Sequence, residues 1–110
     1  MKKKYRFSSG GGFIYVINCN NIYKIGVSKN VERRIKQLTK MPYPMICEYK
    51  KWVNNPYQIE DLFHRLFAEK HYNGEWFLLN EEDLKYIANM VEYGLWNIQL
   101  KDLIKNMQQH

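Results

Sequence analysis

Cysteine is scarce in this chain, with two among 110 residues. Cys19 and Cys47 form no C-x-x-C pair and have no regular spacing. The sequence therefore supports neither a zinc ribbon nor a disulfide framework, and it fits a reducing, cytoplasmic compartment. No run of 18 apolar residues occurs, which excludes a membrane-spanning helix. The basic start MKKKYRFSSGGG lacks the apolar stretch of a signal peptide, so no membrane partner is expected. Glycine is also sparse, and half of the six glycines stand together at Gly10, Gly11 and Gly12. Neither Gly-Lys-Ser/Thr nor a helix follows them, so they read as a hinge rather than a phosphate loop.

Apolar and aromatic residues are plentiful. Hydrophobic residues make up 45% of the chain and aromatic ones 15%, enough to fold rather than remain disordered. A chain of this length forms one domain and buries roughly two-thirds of its unfolded surface. The 17 Lys and Arg exceed the 11 Asp and Glu, for a net charge of +6. That balance favours polyanionic partners through steering and counterion release. Charge alone does not select nucleic acid; a site must.

Residues 1–11 read as a flexible basic arm. FIYVI (13–17) and IYKIGV (22–27) are rich in β-branched and aromatic residues, and NCNN between them is turn chemistry, so the two make a hairpin. Asn30 caps a helix whose Val31, Ile35 and Leu38 recur on one face, with Glu32 in its first turn, and MPYP ends it. MICEYKKWV (45–53) is a third strand. Asn55 before Pro56 opens a helix to about Lys70, with Ile59, Leu62, Phe63, Leu66 and Phe67 inward. NGEWFLL turns and adds a short extended piece. Asn80 starts a helix with Leu84, Ile87, Ala88 and Val91 inward, which Gly94 stops. A last helix carries Leu100, Leu103, Ile104 and Met107 on a stripe that covers a core edge or a second subunit of a homodimer. The expectation is an α/β (α+β) fold: a small three-stranded, mostly antiparallel sheet flanked by helices over residues 12–80, with the helices of 81–110 packed on the same domain.

Registering the hairpin on NCNN places Ile17 opposite Ile22 and Tyr15 opposite Lys24. Strand alternation puts Ile14, Val16, Ile25 and Val27 on one face and Tyr15, Lys24 and Gly26 on the other. On the following helix, 100° per residue places Arg34 about 60° from Val31 and Arg33 about 160° from it, so Arg34 borders the core and Arg33 faces water. On the next helix Glu60 lies within about 60° of Phe63, His64 and Phe67. Asp61 and Arg65 read as an exposed pair. Each residue also has a plain structural reading: a strand tyrosine, a snorkelling lysine, an ion pair between Arg34 and Glu60. Together they supply a base, charge clamps and a cation ligand, the groups that phosphodiester hydrolysis uses.

GFIYVI, YKIGVSKNVERRIKQL, IEDLFHRLF and GEWFLL together resemble a GIY-YIG nuclease domain, in the branch common in phage and mobile elements with KIGVS, E-x-x-x-H and GEWF motifs. Thirteen Lys and eleven Asn against four Arg suit an AT-rich genome of that kind. The resemblance implies a metal-dependent endonuclease acting on DNA, single- or double-stranded, with Mg²⁺ or Mn²⁺. Its alternative is a nucleic-acid-binding module of the same fold that does not cut. By position, Tyr15 matches the catalytic tyrosine, Arg34 the arginine on the scissile phosphate and Glu60 the metal-binding glutamate. Phe13 stands where the first motif has glycine, and Lys24 where the second has tyrosine, as in some restriction enzymes. Lys24 is expected to clamp the phosphate and to lower the phenol pKa of Tyr15 from its free value of about 10. His64 either shuttles a proton or fixes Glu60; Gly26, Ser28 and Arg33 are candidates for substrate contact. Glu75, Trp76 and Phe77 are expected to pack under the site.

Overall fold

The computed structural model describes residues 10–38 and 42–108, without the side chains of Leu100, Met107 and Gln108. The basic arm over residues 1–9 and the start of MPYP lie outside the described residues. The rest divides into two compact units, one ending at Leu79 and one beginning at Asn80.

The first unit is an α+β structure built on a five-stranded antiparallel sheet rather than three strands. Its elements in order are β1 (Gly12–Cys19), β2 (Ile22–Ser28), α1 (Val31–Gln37), β3 (Met45–Val53), α2 (Pro56–Leu66), a 3₁₀ turn (Ala68–Lys70), β4 (His71–Asn73) and β5 (Trp76–Phe77). The strands lie side by side as β3-β1-β2-β5-β4. The two extra strands are short. HYN and WF fold back on each other across the turn at Gly74 and Glu75, with Gly74 in the left-handed region at φ +56°, and β5 pairs with β2.

The hairpin register differs from the expected one. Asn20 and Asn21 both take positive φ, 53° and 65°, the conformation of a two-residue type I′ turn that suits the strand twist. Cys19 therefore faces Ile22, Tyr15 faces Gly26, and Lys24 faces Ile17. The shift is two residues, so each side chain keeps its face while its partner changes. Of the three glycines, Gly12 belongs to the sheet and opens β1 opposite Val53, and Gly11 at φ +61° lies against the Val53 carbonyl, where a Cβ would collide.

On the Tyr15 face of the sheet, α1 packs Val31, with Ile35 and Leu38, against Tyr15, Ile17, Met45 and Cys47. Asn30 accepts a bond from the Arg33 amide at 3.0 Å and so caps α1 as its sequence predicts. A shift in register between Val16 and Ile17 lets β3 change partners along β1. Helix α2 packs on β1 and β2 and fully buries Ile59, Leu62 and Phe63, each stabilising by about 1.5–3 kcal/mol. It stops at Leu66, short of the expected Lys70, and Asn55 precedes Pro56 without forming a side-chain capping bond among the described residues.

The second unit holds α3 (Glu81–Glu92) and α4 (Trp96–Gln108). Asn80 and Asp83 form a reciprocal capping box at 2.9 Å each way. Ile87, Met90 and Val91 are the buried residues of α3. Ile104 of the expected α4 stripe is exposed and Leu103 half-buried. Among the described residues no helix is long and apolar enough to cross a membrane.

Candidate functional site

Tyr15 stands on the central strands, 1% exposed. Its ring lies across Gly26 on β2, so that a Cβ at that position would come within 2.5 Å of Cζ. Gly26 thus leaves room for the tyrosine ring.

Arg34 reaches this phenol from α1. Its guanidinium is near enough to the Tyr15 hydroxyl to hold the phenol's pKa down by hydrogen bonding and charge, and Nη1 donates to Oε1 of Gln37 at 3.2 Å. Arg34 is half-buried and Arg33 is exposed, as the helical wheel places them relative to the core. Glu60, on the first half of α2, is 4% exposed. Its carboxylate and that of Glu75 are both near enough for their charges to act on the phenol.

These neighbours shift the titration of Tyr15 in opposite senses. Burial pushes the phenol above its ordinary value; the hydrogen bond and charge of Arg34 pull it back only in part, and the Glu75 and Glu60 carboxylates push it further up. The expectation that Lys24 would lower it fails for a geometric reason. Lys24 stands one row along, opposite Ile17 and Trp76, and its Nζ lies 2.6 Å from Oε2 of Glu75 and 5.7 Å from the centre of the Trp76 ring. A lysine only 5% exposed needs a counter-charge, and the β4–β5 turn supplies it.

Glu75 is the residue that sequence reading assigned to packing. Its signal was the buried lysine, whose partner must be a carboxylate. The backbone also holds Glu75 in place, for its carbonyl accepts from the Ile25 amide at 3.2 Å.

His64 joins α2 to β2, with Nε2 3.0 Å from the Ile25 carbonyl. A carbonyl only accepts, so Nε2 carries the hydrogen. The ring also meets Phe77 edge-on at 4.9 Å, which gives His64 an anchoring role. Ser28 serves the turn into α1: its hydroxyl donates to the Asn30 carbonyl at 2.9 Å and accepts from the Asn30 amide at 3.0 Å. Asp61 and Arg65 form their exposed pair at 3.0 Å. His71 bonds the Gly74 carbonyl at 2.8 Å, so it and His64 are both engaged with backbone. The structure therefore brings Arg34, Glu60 and Glu75 within electrostatic reach of Tyr15, sets Lys24 on Glu75, bonds Ser28 and His64 to backbone, and leaves Arg33 exposed.

The T5orf172 domain model matches residues 12–92, from the first residue of β1 to the last of α3. The chain belongs to the T5orf172 domain family. No curated protein and no solved structure matches it. All five strands and every gathered residue of this T5orf172 domain fall inside the match, and α4 lies beyond it.

Among the described residues no three His, Cys, Asp or Glu side chains gather as a metal cage. A zinc centre of nitrogen and sulfur ligands does not fit. The donors of this T5orf172 domain are carboxylates, with Glu60 nearly enclosed. That set fits a hard, largely hydrated cation such as Mg²⁺, which takes one or two carboxylates and keeps several waters.

Proposed function

We propose that this T5orf172 domain is a GIY-YIG-type endonuclease that hydrolyses phosphodiester bonds in DNA, with Mg²⁺ or Mn²⁺ held by Glu60. The supporting observation is that the Arg34 guanidinium and the buried Glu60 carboxylate both lie near enough to act on the Tyr15 phenol: a cation, a hydroxyl and a carboxylate come from three elements into one neighbourhood. The net charge of +6 suits a polyanionic substrate.

In this reading Arg34 donates to a non-bridging phosphate oxygen and holds the charge that builds there as water attacks. Tyr15 remains a neutral phenol near pH 7, because its pKa is raised. It orients Arg34 and hydrogen-bonds the attacking water, whose proton passes to bulk water. The phosphorus–oxygen bond to the leaving group breaks, and that oxygen takes up a proton. A bound divalent cation supplies charge neutralisation at the leaving oxygen. Lys24 and Glu75 brace the wall of the site as a nearly neutral pair.

The alternative, a DNA-binding module of the same fold that does not cut, draws on the same raised phenol and on Lys24 being held by Glu75. Purified protein incubated with plasmid DNA and Mg²⁺ or Mn²⁺, beside an EDTA control, separates the two. Nicked or linear product only with metal supports the nuclease; bound but intact plasmid in every lane supports the module.

A further inference from the structure

Trp52 is a large aromatic residue left 45% exposed on β3, the edge strand of the sheet. It is held in place there. Phe13, its partner across β1, meets it edge-to-face with ring centres 5.1 Å apart. From behind, Gly11 gives it room: a Cβ there would lie 3.0 Å from the indole Nε1. A lone exposed aromatic on a surface is ordinary. One fixed by a second ring and by a glycine at positive φ is built to be held open.

Its position relates it to the candidate site. Lys50 on β3 faces Tyr15, and Trp52, two residues along, faces Phe13. All four side chains share one face of the sheet; two residues of strand span about 7 Å, and the Tyr15 hydroxyl, over Gly26 on β2, lies one strand spacing, about 4.8 Å, further from β3. Cations border the pair. Lys50 Nζ lies 5.4 Å over the Phe13 ring and 2.6 Å from Oε1 of Glu32, which offsets part of its charge. Lys29 Nζ approaches the glycine segment, 3.8 Å from where a Gly10 Cβ would stand. Phe13 is the residue that departs from the glycine of the GIY pattern, and its ring supports Trp52.

We propose that Trp52, braced by Phe13, is a stacking platform for an unpaired DNA base a nucleotide or so along the strand from the phosphate held at Arg34 and Tyr15. The substrate is then DNA with single-stranded nucleotides beside the cut, rather than continuous duplex. Bases in a duplex have both faces covered by their neighbours, whereas an unpaired base offers a free π-face; base–aromatic stacking is tolerant of sequence and salt-screened only through the accompanying phosphate contacts. The inference rests on the nuclease reading above.

The test is binding in EDTA, where no cutting intervenes, of a labelled oligo-dT of about 15 nucleotides and of a duplex of equal length. The parent protein should bind the single strand more tightly, and the single strand should quench its tryptophan fluorescence more than the duplex does. Trp52→Leu, which keeps apolar bulk on the strand, should weaken single-strand binding by about 5- to 100-fold and duplex binding by less than about two-fold. Trp52→Phe should recover most of the loss. Equal losses on both DNAs, unchanged single-strand affinity in Trp52→Leu, or no quench by oligo-dT would overturn the platform. If the parent still cuts DNA with metal in that event, the nuclease reading stands without it; if the parent binds neither DNA, both fall.

Discussion

The ammonium of Lys24 lies 2.6 Å from the Glu75 carboxylate across 51 residues of chain, and this pair decides how the site is charged. The lysine side chain is 6% exposed and the glutamate 33%, so the cation depends on its partner more than the reverse. Glu75→Gln should lower stability by about 1–3 kcal/mol, below the full cost of stranding a buried charge because Glu75 is part-exposed. Lys24→Met should cost less, and the double variant less than the sum. Urea midpoints of the four proteins measure this; a Glu75→Gln midpoint equal to the parent's would mean that Lys24 has another sufficient partner.

Gly26→Ala places a methyl group into the Tyr15 ring. The expected cost is about 1–3 kcal/mol, or roughly 4–8 °C of melting temperature for each kcal/mol. A thermal melt within about 2 °C of the parent, about half the smallest shift expected, would show that the ring moves aside freely.

Much of this arrangement could be read in the sequence, and the limits are instructive. Parity along β1 and β2 put Tyr15, Lys24 and Gly26 on one face, and the wheel chose Arg34 over Arg33, because period-2 and 3.6-residue repeats are local properties. The pairing of Tyr15 was misassigned because NCNN offers four turn residues, and only the left-handed backbone of Asn20 and Asn21 selects the two-residue loop. Glu75 was missed because its role comes from the pairing of β2 with β5, two residues long. No periodicity can be detected over so short a strand, although the Asn73-Gly74 step did mark its turn.

Tyr15 should keep its proton beyond the range of an ordinary tyrosine. Its raised folded-state pKa means the native protein retains a proton that the unfolded chain releases near pH 10. The resulting stability is present below about pH 10 and is lost as pH rises through the raised value. In a 295 nm absorbance titration of the nine tyrosines, Tyr15→Phe should remove a component from above pH 10. Loss of a component from below pH 10 would show an activated phenol instead.

Arg34→Ala should lower cleavage by about 10²-fold or more, the usual loss when a charge-stabilising donor is removed, while Arg33→Ala changes it little. Arg34→Ala should also raise the Tyr15 pKa further, since its bond and charge hold that value down. Equal losses for the two arginines would place the phosphate elsewhere on α1.

Glu60 offers the most direct test of the nuclease account, by metal titration of Glu60→Gln beside the parent protein, following nicked and linear plasmid, with DNA affinity measured in parallel. The amide keeps the shape of the side chain and loses the charge that holds a hard cation. DNA binding should persist while cutting disappears at the metal concentration that saturates the parent, with partial return at high metal by mass action. Full cutting by Glu60→Gln at low metal, or no cutting by the parent at any metal concentration, would contradict the account.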